Sequence, residues 1–154
     1  MSLTRHIIMI FIGALMLLFV GTFFVTIQHV KGYFEKQLNS NAQDTATALG
    51  LTLSEKLQQD AGQAEILSKV KAVFDRGYFN AIVVKDIDGN IVVKRFLKSQ
   101  KTNAPDWFKS WVSIENKTQS ALIINGWRQT GKVTVLSNAP LAYQSLWQTA
   151  LYLF

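Results

Sequence analysis

Residues 7–27 read IIMIFIGALMLLFVGTFFVTI, a run of 21 positions without one charged side chain. About 20 consecutive apolar residues cross the hydrocarbon core of a bilayer as a helix. This run therefore commits the start of the chain to a membrane before any other feature is considered. A secretory signal peptide has a shorter apolar region, about 7–15 residues, followed by a small-residue cleavage site. Here QHVKGYFEKQ follows, with no such site, so the run reads as an uncleaved anchor. Gly13 and Gly21 are too far apart for a GxxxG helix-pairing motif. Arg5 and His6 lie on one side of the run; Lys31, Glu35 and Lys36 lie on the other. A short N-terminal tail before a folded domain favours an N-terminus inside the cell, which puts the domain outside the cytoplasm.

The other end is also apolar. After Lys132 no charged side chain occurs in the 22 residues to Phe154. The segment LAYQSLWQTALYLF has 14 residues, ten of them apolar, with Trp147 and Tyr152 suited to a membrane–water interface. Fourteen residues are too few to span alone. The expectation is the start of a second, truncated transmembrane helix, with an amphipathic helix packed on the domain as the alternative. The chain then divides into a cytoplasmic tip and first transmembrane helix over 1–30, an outer domain over 31–139, and the start of the second helix over 140–154. A domain held between two membrane segments suits a protein that reports a signal across a membrane.

Within the outer domain, Phe34, Leu38, Ala42, Ala46, Leu49, Leu53 and Leu57 recur at spacings of three or four, the stripe of one helical face. The anchor helix is expected to continue outward along it. The stripe can pack on its own domain, on a second copy, or on both. Asp60 is a candidate N-cap for a second helix, with Ile66, Leu67, Val70, Val73 and Phe74 on one face and Gly77 as its stop. The period then changes. Residues 78–85 (YFNAIVVK) and 91–96 (IVVKRF) flank Asp88-Gly89, a strong hairpin signal. Residues 120–124 (SALII) and 132–136 (KVTVL) form another pair, joined by a loop from Asn125 to Gly131. Pro105 can open a short helix carrying Trp107, Phe108 and Trp111. Two hairpins covered by helices make an α+β domain with an antiparallel sheet, PAS-like in arrangement.

Little in this composition supports catalysis. There is no Cys, and the two histidines, His6 and His29, flank the anchor. The outer domain therefore lacks the parts of a Ser-His-Asp or Cys-His site and of the usual zinc sites. Asp86-x-Asp88-x-Asn90 imitates the start of an EF-hand loop, but Ile91 and Leu97 stand where Gly and Glu are required. The net charge of +6 comes from scattered residues. The tightest group, Lys94, Arg95, Lys98 and Lys101, is expected on a solvated loop, without the stacking aromatics of a nucleic-acid module. The chain reads as a non-enzyme that needs no cofactor or metal and binds no nucleic acid. The residue that stands out is Trp127, inside Asn125-Gly126-Trp127-Arg128. It can fold back on the sheet or project outward, and exposed Trp beside Arg is what binding hot spots favour.

Taken in order, several segments resemble the N-terminal outer domain of LapD-type receptors, shared with MoxY-like sensor kinases. They are Met1-Ser2-Leu3 before the anchor, Asn41-Ala42-Gln43-Asp44 with Ala46-Thr47-Ala48-Leu49, and Phe74-Asp75-Arg76-Gly77-Tyr78. Pro105-Asp106-Trp107-Phe108, Gly126-Trp127 and Leu146-Trp147-Gln148-Thr149-Ala150-Leu151 complete the set. The resemblance implies a bacterial inner-membrane receptor with a periplasmic, PAS-like, domain-swapped homodimeric output domain. It implies cytoplasmic HAMP, GGDEF and EAL domains, absent from this chain, that bind cyclic di-GMP. The periplasmic domain would then capture a LapG-type cysteine protease and so protect a biofilm adhesin. The same resemblance puts Gly126-Trp127 where the family's tryptophan inserts into the protease; Asn125 and Arg128, which flank it in the turn, complete the candidate protein-binding residues. A small-molecule sensor domain of a kinase or cyclase is the alternative. Alkaline extraction of membranes is expected to leave the chain in the pellet; full release into the supernatant would contradict the anchor.

Overall fold

The computed structural model describes residues 3–54, 62–98 and 102–152. Its first element, α1 (Leu3–Leu53), is one unbroken helix of 51 residues. At 1.5 Å per residue it is about 77 Å long. Its inner part is apolar on every side and uncovered by protein. The most apolar 18-residue window has a mean hydropathy of 2.7 and is 0% buried. A helix apolar all round with no protein against it fits a transmembrane span.

Burial along α1 begins at Ile27. Further out, Ala42, Ala46, Leu49 and Leu53 are buried, on the stripe the sequence marks, while Phe34 and Leu38 are half-buried. Leu57 and Asp60 lie outside the described residues. The second helix, α2 (Gly62–Phe74), buries Ile66, Val70 and Phe74, whereas Leu67 is exposed. It closes as expected: Gly77 has a positive φ of 79° and donates its N–H to the Phe74 carbonyl at 3.0 Å.

The sheet is antiparallel throughout, in the order β2-β1-β4-β3. Its strands are β1 (Phe79–Asp86), β2 (Ile91–Phe96), β3 (Gln119–Asn125) and β4 (Arg128–Ser137). A short helix, α3 (Asp106–Val112), separates the hairpins, and α4 (Ala139–Tyr152) follows the sheet. Among the described residues, four helices and one antiparallel sheet make this an α+β protein, as the sequence predicts. Ile82, Val84, Val93, Ile123, Val133 and Val135 turn one sheet face towards α1 and α2 and share a core with them. Full burial of each such side chain stabilises by about 1.5–3 kcal/mol. Lys85, Lys94 and Lys132 stay exposed. The basic residues Lys94 and Arg95 are thus on β2 rather than on a loop, because they continue the β-branched run of IVVKRF. The Asp86–Asn90 segment is a hairpin turn: Gly89 donates to the Asp86 carbonyl at 3.0 Å, and Asp86 to that of Asn90 at 2.9 Å.

A second core lies nearer the membrane. There α3 and α4 pack on α1 through Phe108, Val112, Ala142, Leu146, Ala150 and Ile27. The described part of α4 spans 14 residues and lays one face on α1. Polar stitches fix the level of these elements. Ser137 Oγ donates to the Leu38 carbonyl at 2.7 Å, and the Glu115 N–H donates to Glu35 Oε1 at 2.7 Å.

Helix and sheet approach closely at Gly50, where a Cβ would sit 3.0 Å from the Leu122 carbonyl oxygen. Gly50→Val must therefore push α1 off β3. The expected cost is about 1–3 kcal/mol, read as a lower denaturation midpoint; an unchanged midpoint would show that the contact is loose.

Candidate functional site: the β3–β4 tip

The strand connection predicted as a seven-residue loop is much tighter. Asn125 pairs directly with Arg128, leaving Gly126 and Trp127 as the whole turn. Arg128 to Gly131 belong to β4 instead. The physical reason is Gly126, with φ of 60° at the first central position. This is where a two-residue turn matching the right-handed strand twist requires glycine. Trp127, at the second position, is fully exposed, and Arg128 at the strand start is exposed. Asn125 is half-buried. The turn thus places the four residues side by side at one tip, with the indole outward.

Two devices stiffen this tip. The register shifts between Ile123 and Ile124, a bulge that takes up the extra residue on β4. At that bulge Thr130 is buried, and its Oγ1 donates to the Ile123 carbonyl at 3.2 Å. The start of β3 is tied to α1: the Lys117 N–H donates to Asn39 Oδ1 at 3.2 Å, and Gln43 Nε2 to the Ser120 carbonyl at 3.5 Å. From Asn39 through Gln43 to Gly50, β3 follows α1 away from the membrane. The tip therefore lies at the membrane-distal end of the domain.

Sequence reasoning missed two neighbours. Leu122 and Ile124 are both about half exposed on β3, an edge strand, and lead up to Trp127. The run Ala121-Leu122-Ile123-Ile124 reads as buried on both faces, yet only one face meets α1. Four consecutive apolar residues carry no polar alternation, so the sequence alone does not mark Leu122 and Ile124 as the exposed face.

A second concavity lies between α1 and α2. It has a volume of about 540 Å³, and Asp44, Thr45, Lys69 and Arg76 are among its lining side chains. It is an open groove. Among the described residues no group of His, Asp and Glu could hold a metal ion. The shifted titration that stands out is remote from both sites. Lys109, bonded to Asp106 at 2.7 Å on α3, holds that carboxyl below its ordinary value by hydrogen bonding and charge. The direction favours the folded form above the unfolded pKa and fades as pH falls through the folded one.

An apolar helix fitting a bilayer span, a small α+β domain beyond it and an exposed aromatic tip describe a domain suited to a membrane anchor. The LapD/MoxY periplasmic domain model matches residues 23–147, and the chain belongs to that family. Among solved structures, one titled "Pseudomonas fluorescence LapD periplasmic domain" is 35% identical. The match covers 82% of this chain and 98% of that one, with a TM-score of 0.45. No curated protein gives a significant match.

The turn makes opposite demands on its two residues. Gly126→Ala forces a Cβ into the left-handed region and is expected to cost about 1 kcal/mol. Trp127→Ala removes a side chain that touches nothing and is expected to stay within about 0.5 kcal/mol of the parent. Thermal denaturation of both variants checks this; a large loss for Trp127→Ala would mean that the indole packs on the domain.

Proposed function

We propose that this chain is the periplasmic output domain of an inner-membrane cyclic di-GMP receptor, and that it captures a LapG-type periplasmic cysteine protease. Captured protease cannot cleave its surface adhesin, and the biofilm is retained. The observation that carries this reading is Trp127, fully exposed on a two-residue turn at the membrane-distal tip. A soluble domain gains nothing from an indole held in water, whereas a rigid, exposed Trp beside an Arg is the anchor binding hot spots favour. Gly126 sets the turn, Arg128 supplies a charged flank, and Asn125 closes the strand pair. The exposed Leu122 and Ile124 extend the apolar surface behind the anchor.

In this reading residues 1–30 form the cytoplasmic tip and first span, 31–139 the periplasmic domain, and 140–154 the start of a second span that continues α4. Cyclic di-GMP acts through cytoplasmic domains outside this chain, and the domain itself is not a catalyst. The stripe on α1 is buried against the chain's own sheet, so the homodimer, domain-swapped, is carried by the family resemblance and not by that face. The alternative, a small-molecule sensor, draws on the groove between α1 and α2, whose volume lies in the usual range for ligand sites.

Truncating a central aromatic anchor costs about 2–4 kcal/mol of binding, roughly 30- to 700-fold in affinity at about 1.4 kcal/mol per tenfold. Trp127→Glu is therefore expected to abolish capture of a LapG-type protease while leaving the melting midpoint nearly unchanged. Parental affinity in the folded variant would remove Trp127 from the mechanism.

A further inference from the structure

The membrane-proximal core carries an aromatic cluster that protease capture does not use. Phe108 of α3 is buried and sits 5.1 Å, ring centroid to centroid, from Trp147 of α4. Trp107 meets the same Trp147 edge-on at 5.8 Å, and Trp111 lies 5.9 Å from Phe24 of α1. Phe108 thus nails α3 to the helix pair. Trp107 and Trp111, however, remain 63% and 41% exposed, and Phe24 is 48% exposed. Two tryptophans on one seven-residue helix, both incompletely covered, are not explained by packing within the chain.

Their level along α1 identifies what covers them. The uncharged run over 7–27 is about 31 Å long as a helix, equal to a hydrocarbon core of about 30 Å. Phe24 lies three residues inside its outer end, about 5 Å below the boundary. Trp111 touches α1 at that depth, so lipid packed around this part of α1 must abut α3. Trp is enriched at this level because its ring is apolar and its N–H wants a polar partner. The charges of α3 agree: Asp106 and Lys109 pair at 2.7 Å, and Asp106 is 98% exposed on its side chain, as headgroup water allows.

We propose that α3 is a membrane-interface helix whose Trp107 and Trp111 insert into the headgroup–acyl boundary of the outer leaflet, seating the domain on the bilayer. The proposal rests on α1 spanning that bilayer. Trp107 meeting Trp147 then fixes the depth of α4 as well as that of α1.

The test is tryptophan fluorescence of the full chain in phosphatidylcholine–phosphatidylglycerol vesicles, with either lipids brominated near the headgroup end of the acyl chain or aqueous iodide as quencher. One variant keeps Trp111 alone, with Trp107, Trp127 and Trp147 changed to Phe. A second keeps Trp127 alone. A third replaces all four tryptophans by Phe and carries Phe11→Trp within the span. Bromolipid is expected to quench Trp111 and iodide to leave it bright, with the reverse for Trp127. Quenching of Trp111 by iodide alone would overturn the proposal, since α3 would stand clear in water. Protection from both quenchers would also overturn it, with a second copy or another protein as the cover. If bromolipid fails to quench Phe11→Trp, the span itself is wrong and the proposal falls with it; if it quenches there but not at Trp111, only the seat is wrong. Because Trp147→Phe touches the core, W107S/W111S in the otherwise unchanged chain gives a second reading. It is expected to remove most of the bromolipid-quenched emission, and an undiminished quenched fraction would contradict the proposal.

Discussion

The contact between the alanine-rich stripe of α1 and the β-sheet is what the rest of the structure depends on. Ala42 and Ala46 are fully buried, and Gly50 brings the helix axis against the Leu122 backbone. Small side chains let the helix lie close, so the larger Ile82, Val133 and Val135 can fill the space beneath it. Because the same helix begins in the apolar run, the domain has no hinge of irregular backbone between bilayer and sheet. Position along α1 then sets the height of every element: Phe24 under α3, Leu38 beside Ser137, Gly50 beside β3.

A domain built this way has two ends with different apolar surfaces. The membrane-proximal end stacks aromatic rings from α1, α3 and α4. The distal end holds one indole on a turn with no room to relax. Exposed large apolar groups on a small domain mark contact sites when they cluster. The tip gathers Trp127 with the half-exposed Leu122 and Ile124, and its two-residue turn, the buried Thr130 and the ties from Asn39 and Gln43 hold it in place. The side chains that present Trp127 are thus mostly structural, while Trp127 and Arg128 themselves stand exposed at the tip.

Much of this was legible in sequence because the signals were periodic. The stripe from Phe34 to Leu53, the stop at Gly77 and the Asp88-Gly89 hairpin follow from spacing and from positive-φ chemistry. The tip was harder. Asn125 and Gly126 announced a turn, but the polar stretch Arg128-Gln129-Thr130-Gly131 looked like loop. It is strand because the bulge and the Ile123 carbonyl accommodate Thr130, a tertiary effect that no local pattern carries. Exposure of Leu122 and Ile124 was hidden for a similar reason, since a one-sided sheet cannot be told from a two-sided one in four apolar residues. Lys94 and Arg95 belong both to the basic group expected on a loop and to the run IVVKRF; the strand prevails because Val93 packs into the core. The depth of Trp107 and Trp111 needed the register of α3 against α1, which composition does not contain.

We propose that protease capture happens at the β3–β4 tip, through Trp127. Hydrogen–deuterium exchange of the membrane-embedded chain, with and without a LapG-type protease, tests this most directly. The account predicts slower exchange in β3 and at the start of β4, around residues 122–129, with exchange along the groove between α1 and α2 unchanged. Protection confined to that groove, with the tip exchanging as in the free chain, would contradict it.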